Sequence, residues 1–209
     1  VYAHQDLPDH FRRYEKTTGW NTAINRRQFA IDVPQFRWPD EYRDPDVTYA
    51  QQLTFTRGDL TFQLHHARGE TDDHLWGWEP QRKWAFVGDF VIWNFPNAGN
   101  PQKVQRFPIE WAAALRDMIA HGPELLLPAH GLPIEGRDRI ARVLDDIAGA
   151  LERLVAEVVD MMNAGETLDA IVHQVHVPDD VLAKPYLRPL YDEPEFVVRN
   201  VWRQFGGWW

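Results

Sequence analysis

Three short stretches pair a metal-capable side chain with the end of a predicted strand. Glu70 stands in Gly69-Glu70-Thr71-Asp72-Asp73-His74, Asp89 in Gly88-Asp89-Phe90, and His130 in Pro128-Ala129-His130-Gly131. Carboxylate oxygen and imidazole nitrogen are ligands suited to Zn²⁺. Sites on α/β sheets gather where strands end, because loops from separate strands converge there. Each stretch alone also fits a plainer role. Thr71-Asp72-Asp73 reads as a helix cap or Asx turn, Gly88-Asp89 as a strand-ending turn, and His130 as a partner for a loop carbonyl. Their order along the chain, interleaved with strands and a helix, favours a shared site.

The elements that must position them follow from periodicity. Leu53, Phe55, Leu60, Phe62 and Leu64 alternate with polar residues about Gly58-Asp59, which predicts a hairpin over Gln52–Arg57 and Leu60–His66. Short apolar strands are expected at Trp84–Val87 and Leu125–Leu127. Between them Pro108 to His121 reads as a helix, with proline in its first turn and Gly122 after its end. Before residue 50, Pro34, Pro39 and Pro45 break any long element. Asp6 to Thr18 is a candidate helix, and Phe36–Asp46 reads as an ordered loop held by Trp38 and Tyr42. Strands alternating with a helix predict an α/β class.

The composition changes near residue 136. Ile140, Leu144, Ile147, Leu151, Leu154 and Val158 recur every third or fourth residue over a stretch with no proline, a seam on one long helix suited to a partner helix. Gly165 stops it. Shorter helices are expected at Leu168–Gln174, Asp179–Ala183 and Glu193–Phe205. The expected domains are 1–136, α/β, and 137–209, all-α.

Composition narrows the function classes. The 209 residues carry a net charge of −9, which argues against general nucleic-acid binding, since phosphate contacts need clustered Lys and Arg. There is no cysteine, so a disulfide framework, a thiolate zinc knuckle and a cysteine nucleophile are excluded. No apolar run approaches the roughly 18 residues of a membrane span. The expectation is a soluble chain, with periplasmic, secreted and cytoplasmic placement all open. Val1 at the start, Gly206-Gly207-Trp208-Trp209 at the end and the 10 tryptophans suggest a piece of a longer polypeptide whose aromatic surface meets further chain.

The ordered set G-E-T, G-D and P-A-H-G resembles the second half of the metallo-β-lactamase superfamily, and more narrowly its alkyl sulfatase branch. In the superfamily G-H-T supplies a zinc histidine, G-D a bridging aspartate and P-x-H-G the last histidine. Glu70 occupies the place of that first histidine, as in the alkyl sulfatases. The resemblance continues through the long helix after Gly136, Val177-Pro178-Asp179-Asp180, Pro185-Tyr186-Leu187 to Tyr191-Asp192, and Val197-Val198-Arg199-Asn200 to Gly206-Gly207-Trp208-Trp209, which look like the alkyl sulfatase dimerisation domain. The implied architecture is part of an αββα metallo-β-lactamase-like sandwich followed by a helical dimerisation domain. The H-x-H-x-D-H motif that opens superfamily members is absent. His65-His66 are adjacent, and His173 and His176 lie in the helical part.

The resemblance implies zinc-dependent hydrolysis of an alkyl or aryl sulfate monoester, with two Zn²⁺ in an intact site. Glu70, Asp89 and His130 would be metal ligands. Asp89 would bridge the ions above a bound water, and Glu70 would add negative charge. Asn97, Lys103 and Tyr191 are candidates for binding sulfate, and Trp76, Trp78, Trp93 and Phe95 for an apolar groove. The implied partners are a second copy through the helical domain and the missing N-terminal half of the same enzyme, without which activity should be impaired. Two other readings stand beside it: a non-catalytic dimerisation or interaction module with an incomplete metal site, and a hydrolase of other esters on the same fold.

Overall fold

The computed structural model describes residues 1–207; the Trp208-Trp209 pair of the dimerisation resemblance lies outside the described residues. The chain divides into two compact units, Val1–Ala50 and Gln51–Trp209.

In the first unit, β1 (Tyr2–His4) pairs in parallel with β2 (Val47–Tyr49), and α1 (Leu7–Lys16) and α2 (Thr18–Gln28) lie between them in sequence. The sequence predicts one helix here; the structure has two, meeting at Thr17, whose hydroxyl donates to the carbonyl of Arg13. Such back-bonding of Thr satisfies a terminal carbonyl and favours a break. The expected ordered loop is tied by aromatic packing. Phe11 stacks on Tyr42 with centroids 4.6 Å apart, and Tyr14 packs on Trp38 at 5.7 Å.

The second unit holds a six-stranded mixed sheet in the order β3 (Gln52–Arg57), β4 (Leu60–His66), β5 (Leu75–Glu79), β6 (Trp84–Gly88), β7 (Leu125–Pro128) and β8 (Ile134–Glu135). All neighbouring pairs are antiparallel except β6 with β7, which are parallel and joined through α3 (Pro108–His121). The predicted hairpin forms in the register Phe55 opposite Phe62, with those rings stacked at 5.3 Å. Strand β5 went unpredicted: Leu-Trp-Gly-Trp-Glu has too little alternation of polarity to signal a strand, because four of its five residues are buried.

The period-2 pleat gives the sheet two unlike faces. Trp76, Trp78, Ala85, Val87, Leu126 and Ile134 point to one face and are buried. His121 of α3 seats its ring edge-on against Trp76 and Trp78 there. The opposite face carries Leu53, Phe55, Phe62, Leu64 and Phe86; Phe62 packs on Phe86 at 6.4 Å, and Phe86 remains 37% exposed.

Gly136, at φ 93°, starts α4 (Arg137–Asn163), where the composition shifts. Helices α5 (Leu168–Gln174), α6 (Asp179–Leu182) and α7 (Pro194–Gln204) follow, close to the expected spans. Thr167 caps α5 through its hydroxyl, which accepts from the Ala170 N–H. The apolar seam of α4 departs from expectation. Ile140, Leu144, Leu151 and Val158 are wholly buried within the single chain, as are Ile147 and Leu154 to within 2%. Helix α4 packs on α3 and receives α5 and α7. One continuous core runs from the sheet through these helices, so the seam that suited a partner helix is core.

Candidate metal and ester site

The topology brings the three predicted stretches to one end of the sheet. Strands β4, β6 and β7 run in the same direction, since β4–β5 and β5–β6 are antiparallel and β6–β7 is parallel. The loops after His66, Gly88 and Pro128, carrying Glu70, Asp89 and His130, therefore leave the same edge.

Backbone contacts narrow the approach. The N–H of Ala129 donates to the carbonyl of Gly88 at 3.1 Å, which holds the β7 loop beside Asp89. His130 Nε2 then lies 3.5 Å from Asp89 Oδ1. Gly88 takes φ 52°, a left-handed turn that favours glycine, and so redirects the chain at Asp89. Gly131 has φ 88°, and a side chain on it would run into the Trp93 ring. The Trp93 indole in turn donates to the Leu132 carbonyl at 2.8 Å, pinning the His130 loop.

The Glu70 loop is fixed from three sides. Gly69 donates to the Thr71 carbonyl at 3.1 Å and accepts from the Phe107 N–H at 3.0 Å. Its bare Cα lies against Phe90, the residue after Asp89; a Cβ there would approach the ring to 2.8 Å. His74 stacks on the same ring with centroids 4.1 Å apart, and Trp111 of α3 donates its indole N–H to the Phe90 carbonyl. Burial pulls the His74 pKa down to about 4 against the attraction of Asp89 and Asp73, so this ring is neutral at pH 7.

Glu70 itself meets Arg106 Nη1 at 2.5 Å and the Asn97 amide at 3.2 Å, and both contacts fall on Oε1. The structure thus joins Asp89 with His130 and Asn97 with Glu70. Lys103 lies on the turn where its N–H donates to the Asn100 carbonyl, and Tyr191 is 44% exposed on the segment before α7. The expected apolar groove takes a different form. Trp76, Trp78 and Phe95 are buried in the core, and only Trp93 remains partly open beside the His130 loop.

Sequence reading missed a buried polar group behind Glu70. Asn100 donates to Asp192 Oδ1 at 3.0 Å, and Asn200 of α7 holds the backbone of Arg106. Asp192 is fully buried, and burial raises its pKa to about 6. Nothing in the spacing of these residues marks them, because their partners lie some 90 or more residues away in the chain.

Asp89 and His130 fit one zinc ion. Two donors at tetrahedral angles and about 2.0–2.1 Å from a metal stand about 3.3 Å apart, close to the separation found here. The Arg106 and Asn97 contacts of Glu70 both converge on Oε1, and its side chain is 23% exposed.

Residues 167–209 match a family model described as alkyl sulfatase dimerisation. The chain is 27% identical over 167 residues to the linear primary-alkylsulfatase of Pseudomonas sp. (strain ATCC 19151), a match covering 78% of this chain and 32% of that protein. Among solved structures, a double mutant of the sec-alkyl sulfatase PisA1 superposes with a TM-score of 0.83 at 19% identity, over 100% of this chain and 37% of the other. A metallo-β-lactamase family protein from Thermus thermophilus superposes with a TM-score of 0.58 at 10% identity, over 99% of this chain and 67% of that one. The chain spans about a third of the length of the curated relative it matches. It resembles the alkyl sulfatases in sequence and in its C-terminal segment, and its fold is one found in an alkyl sulfatase and in a metallo-β-lactamase family protein.

Proposed function

We propose that this chain forms part of a zinc-dependent hydrolase of sulfate monoesters, contributing Glu70, Asp89 and His130 as metal ligands. The observation that carries the reading is the Asp89–His130 pair at 3.5 Å, with Glu70 leaving the same sheet end. The division at 136/137 separates the part that holds these ligands from the part that braces them. Zinc, when bound, supplies a water of lowered pKa and a Lewis acid for an ester oxygen. In this reading Asp89 would be the ligand shared between metals, and His130 would hold a metal from the neighbouring loop. Asn97 orients Glu70 by donating to Oε1, and Lys103 and Tyr191 stand as cation and hydroxyl for the sulfate. The remaining ligands, in H-x-H-x-D-H, belong to an N-terminal half that packs on the sheet. The partly exposed Phe86, with Phe55 and Phe62 beside it, supports that packing, since a sheet face this apolar is ordinarily covered. Homodimerisation through residues 167–209 is part of the same reading and rests on the dimerisation family match.

The test is zinc content and alkyl sulfate turnover of the chain alone and of the chain joined to an N-terminal half carrying H-x-H-x-D-H. The joined protein should hold near two zinc ions and turn over; the chain alone should hydrolyse poorly or not at all. Asp89→Asn and His130→Ala should each lower zinc content in the joined protein. Full turnover by the isolated, zinc-loaded chain would overturn the ligand count. Zinc near zero in both forms would favour the second reading, a dimerisation or interaction module, which the match over 167–209 also supports.

A further inference from the structure

The cluster behind Glu70 is built around one side chain. Asn200 of α7 uses its full hydrogen-bonding capacity on the loop before α3 and its own helix. Its Nδ2 donates to the carbonyls of Ala98 at 3.1 Å and Arg106 at 2.9 Å, and its Oδ1 accepts from the Arg106 N–H at 3.2 Å and from Arg203 at 3.1 Å. Two donors and two acceptors are what a carboxamide offers, and neither Asp nor Leu of similar size can reproduce them. Arg106 is thereby held at both its N–H and its C=O, as a strand residue is held by a neighbour. Gly99 lies under the same helix so closely that a Cβ would collide with the Phe196 carbonyl oxygen. Asn94 accepts from the Leu190 N–H, and Phe95 donates to the Arg188 carbonyl, so the start of the loop, like its end at Arg106, is tied to the C-terminal segment. The side chain of Arg106, 3% exposed, brings its guanidinium from this frame onto Glu70.

We propose that Arg106 is a positioning residue for Glu70, and that α7 sets where Arg106 stands through Asn200. The helical C-terminal segment then governs the candidate site from behind, besides any role in assembly. The proposal rests on the reading of Glu70 as a metal ligand. Arg106 is buried while Glu70 is partly open, so the pair holds its geometry only if both partners are fixed, the arginine charge having given up its water. Glu70 is fixed by its loop and Arg106 by Asn200. Holding Oε1 with Arg106 and Asn97 restrains the Glu70 carboxylate, which is what a ligand requires of its supporting contacts.

The experiment compares the 209-residue chain with Asn200→Ala, Arg106→Lys, Glu70→Gln and, as a control on the exposed side of α7, Arg199→Ala. Nuclear magnetic resonance of the Arg106 guanidinium reads the pair directly, because a carboxylate at this distance slows rotation of the Nη groups. In Asn200→Ala, with helical circular dichroism retained, the slowed signals should collapse to averaged ones, and amide exchange across residues 94–107 should rise tenfold or more. Zinc titration, run with each substitution in the protein joined to the N-terminal half, should show a roughly 10–100-fold weaker site in Asn200→Ala, the range for loss of a ligand's supporting contact. Unchanged guanidinium signals in folded Asn200→Ala would overturn the proposal. Should Asn200→Ala fail to fold, Arg106→Lys carries the test. It keeps the charge but loses the fork, and it must weaken zinc as Asn200→Ala was expected to; equal affinity overturns the proposal. A Glu70→Gln variant that binds zinc as the unmodified chain does would refute the ligand reading instead, while the guanidinium signals still decide the positioning.

Discussion

Placing two charges on the α4 seam distinguishes a core from an interface. Leu144 and Leu151 lie two turns apart on one stripe, and each is 0% exposed in the single chain. Truncating a buried Leu to Ala costs about 2–5 kcal/mol in lost transfer and packing, so two such losses come to about 4–10 kcal/mol. Leu144→Glu with Leu151→Glu adds a desolvation penalty at each position. A carboxylate in this core has no partner, because the neighbours along the stripe are Ile140, Ile147, Leu154 and Val158. The total exceeds the roughly 5–15 kcal/mol stability of an ordinary domain or exhausts most of it. The double variant should lose its helical circular dichroism signal and its cooperative melt. Ala156→Glu, on the exposed side of the same helix, should melt within about 0.5 kcal/mol of the unmodified chain. A double variant that stays helical and elutes as a monomer would refute the reasoning, since only a seam facing a partner could accept two carboxylates and keep its fold.

Acid should destabilise the fold through His74. Its pKa falls from 6.5 in the unfolded chain to about 4 in the folded one, so the unfolded state takes up the proton first as pH drops from about 6.5 to 4. The loss is on the order of 3 kcal/mol across that window, read by urea unfolding, and His74→Phe should flatten it. Gly99→Ala should lower the melting temperature by roughly 3–10 °C, because the added methyl meets the α7 backbone and not a side chain that can turn away; an unchanged melt would show that the loop and helix separate freely. If residues 167–209 mediate dimerisation, Leu190→Asp with Phe205→Asp should halve the mass in solution while leaving the helical signal intact, since these are large apolar residues of that segment exposed at 77% and 52%. A dimer that survives both charges would put the interface elsewhere.

Periodicity, turn residues and motif order carried much of this protein without its structure. Alternation over 52–66 determined the hairpin, proline and glycine bracketed α3, and the three-four spacing determined α4, because these signals are local and the backbone obeys them over a few residues. The motif order likewise pointed to Glu70, Asp89 and His130, which the β4, β6 and β7 directions bring to one sheet end. Strand β5 and the break at Thr17 were not legible, since burial on both faces erases alternation and a cap competes with a helix only by small energies. Tertiary structure alone decided which surface the α4 seam meets. An apolar stripe has the same sequence whether it faces α3 and α7 or a second chain, and only packing distinguishes them. It alone decided, too, that Arg106 reaches Glu70 and that Asn200 holds Arg106. Contacts spanning 36 and 94 residues depend on how the loop before α3 and helix α7 come together, and hydrogen-bonding side chains carry no periodic signal of their partners.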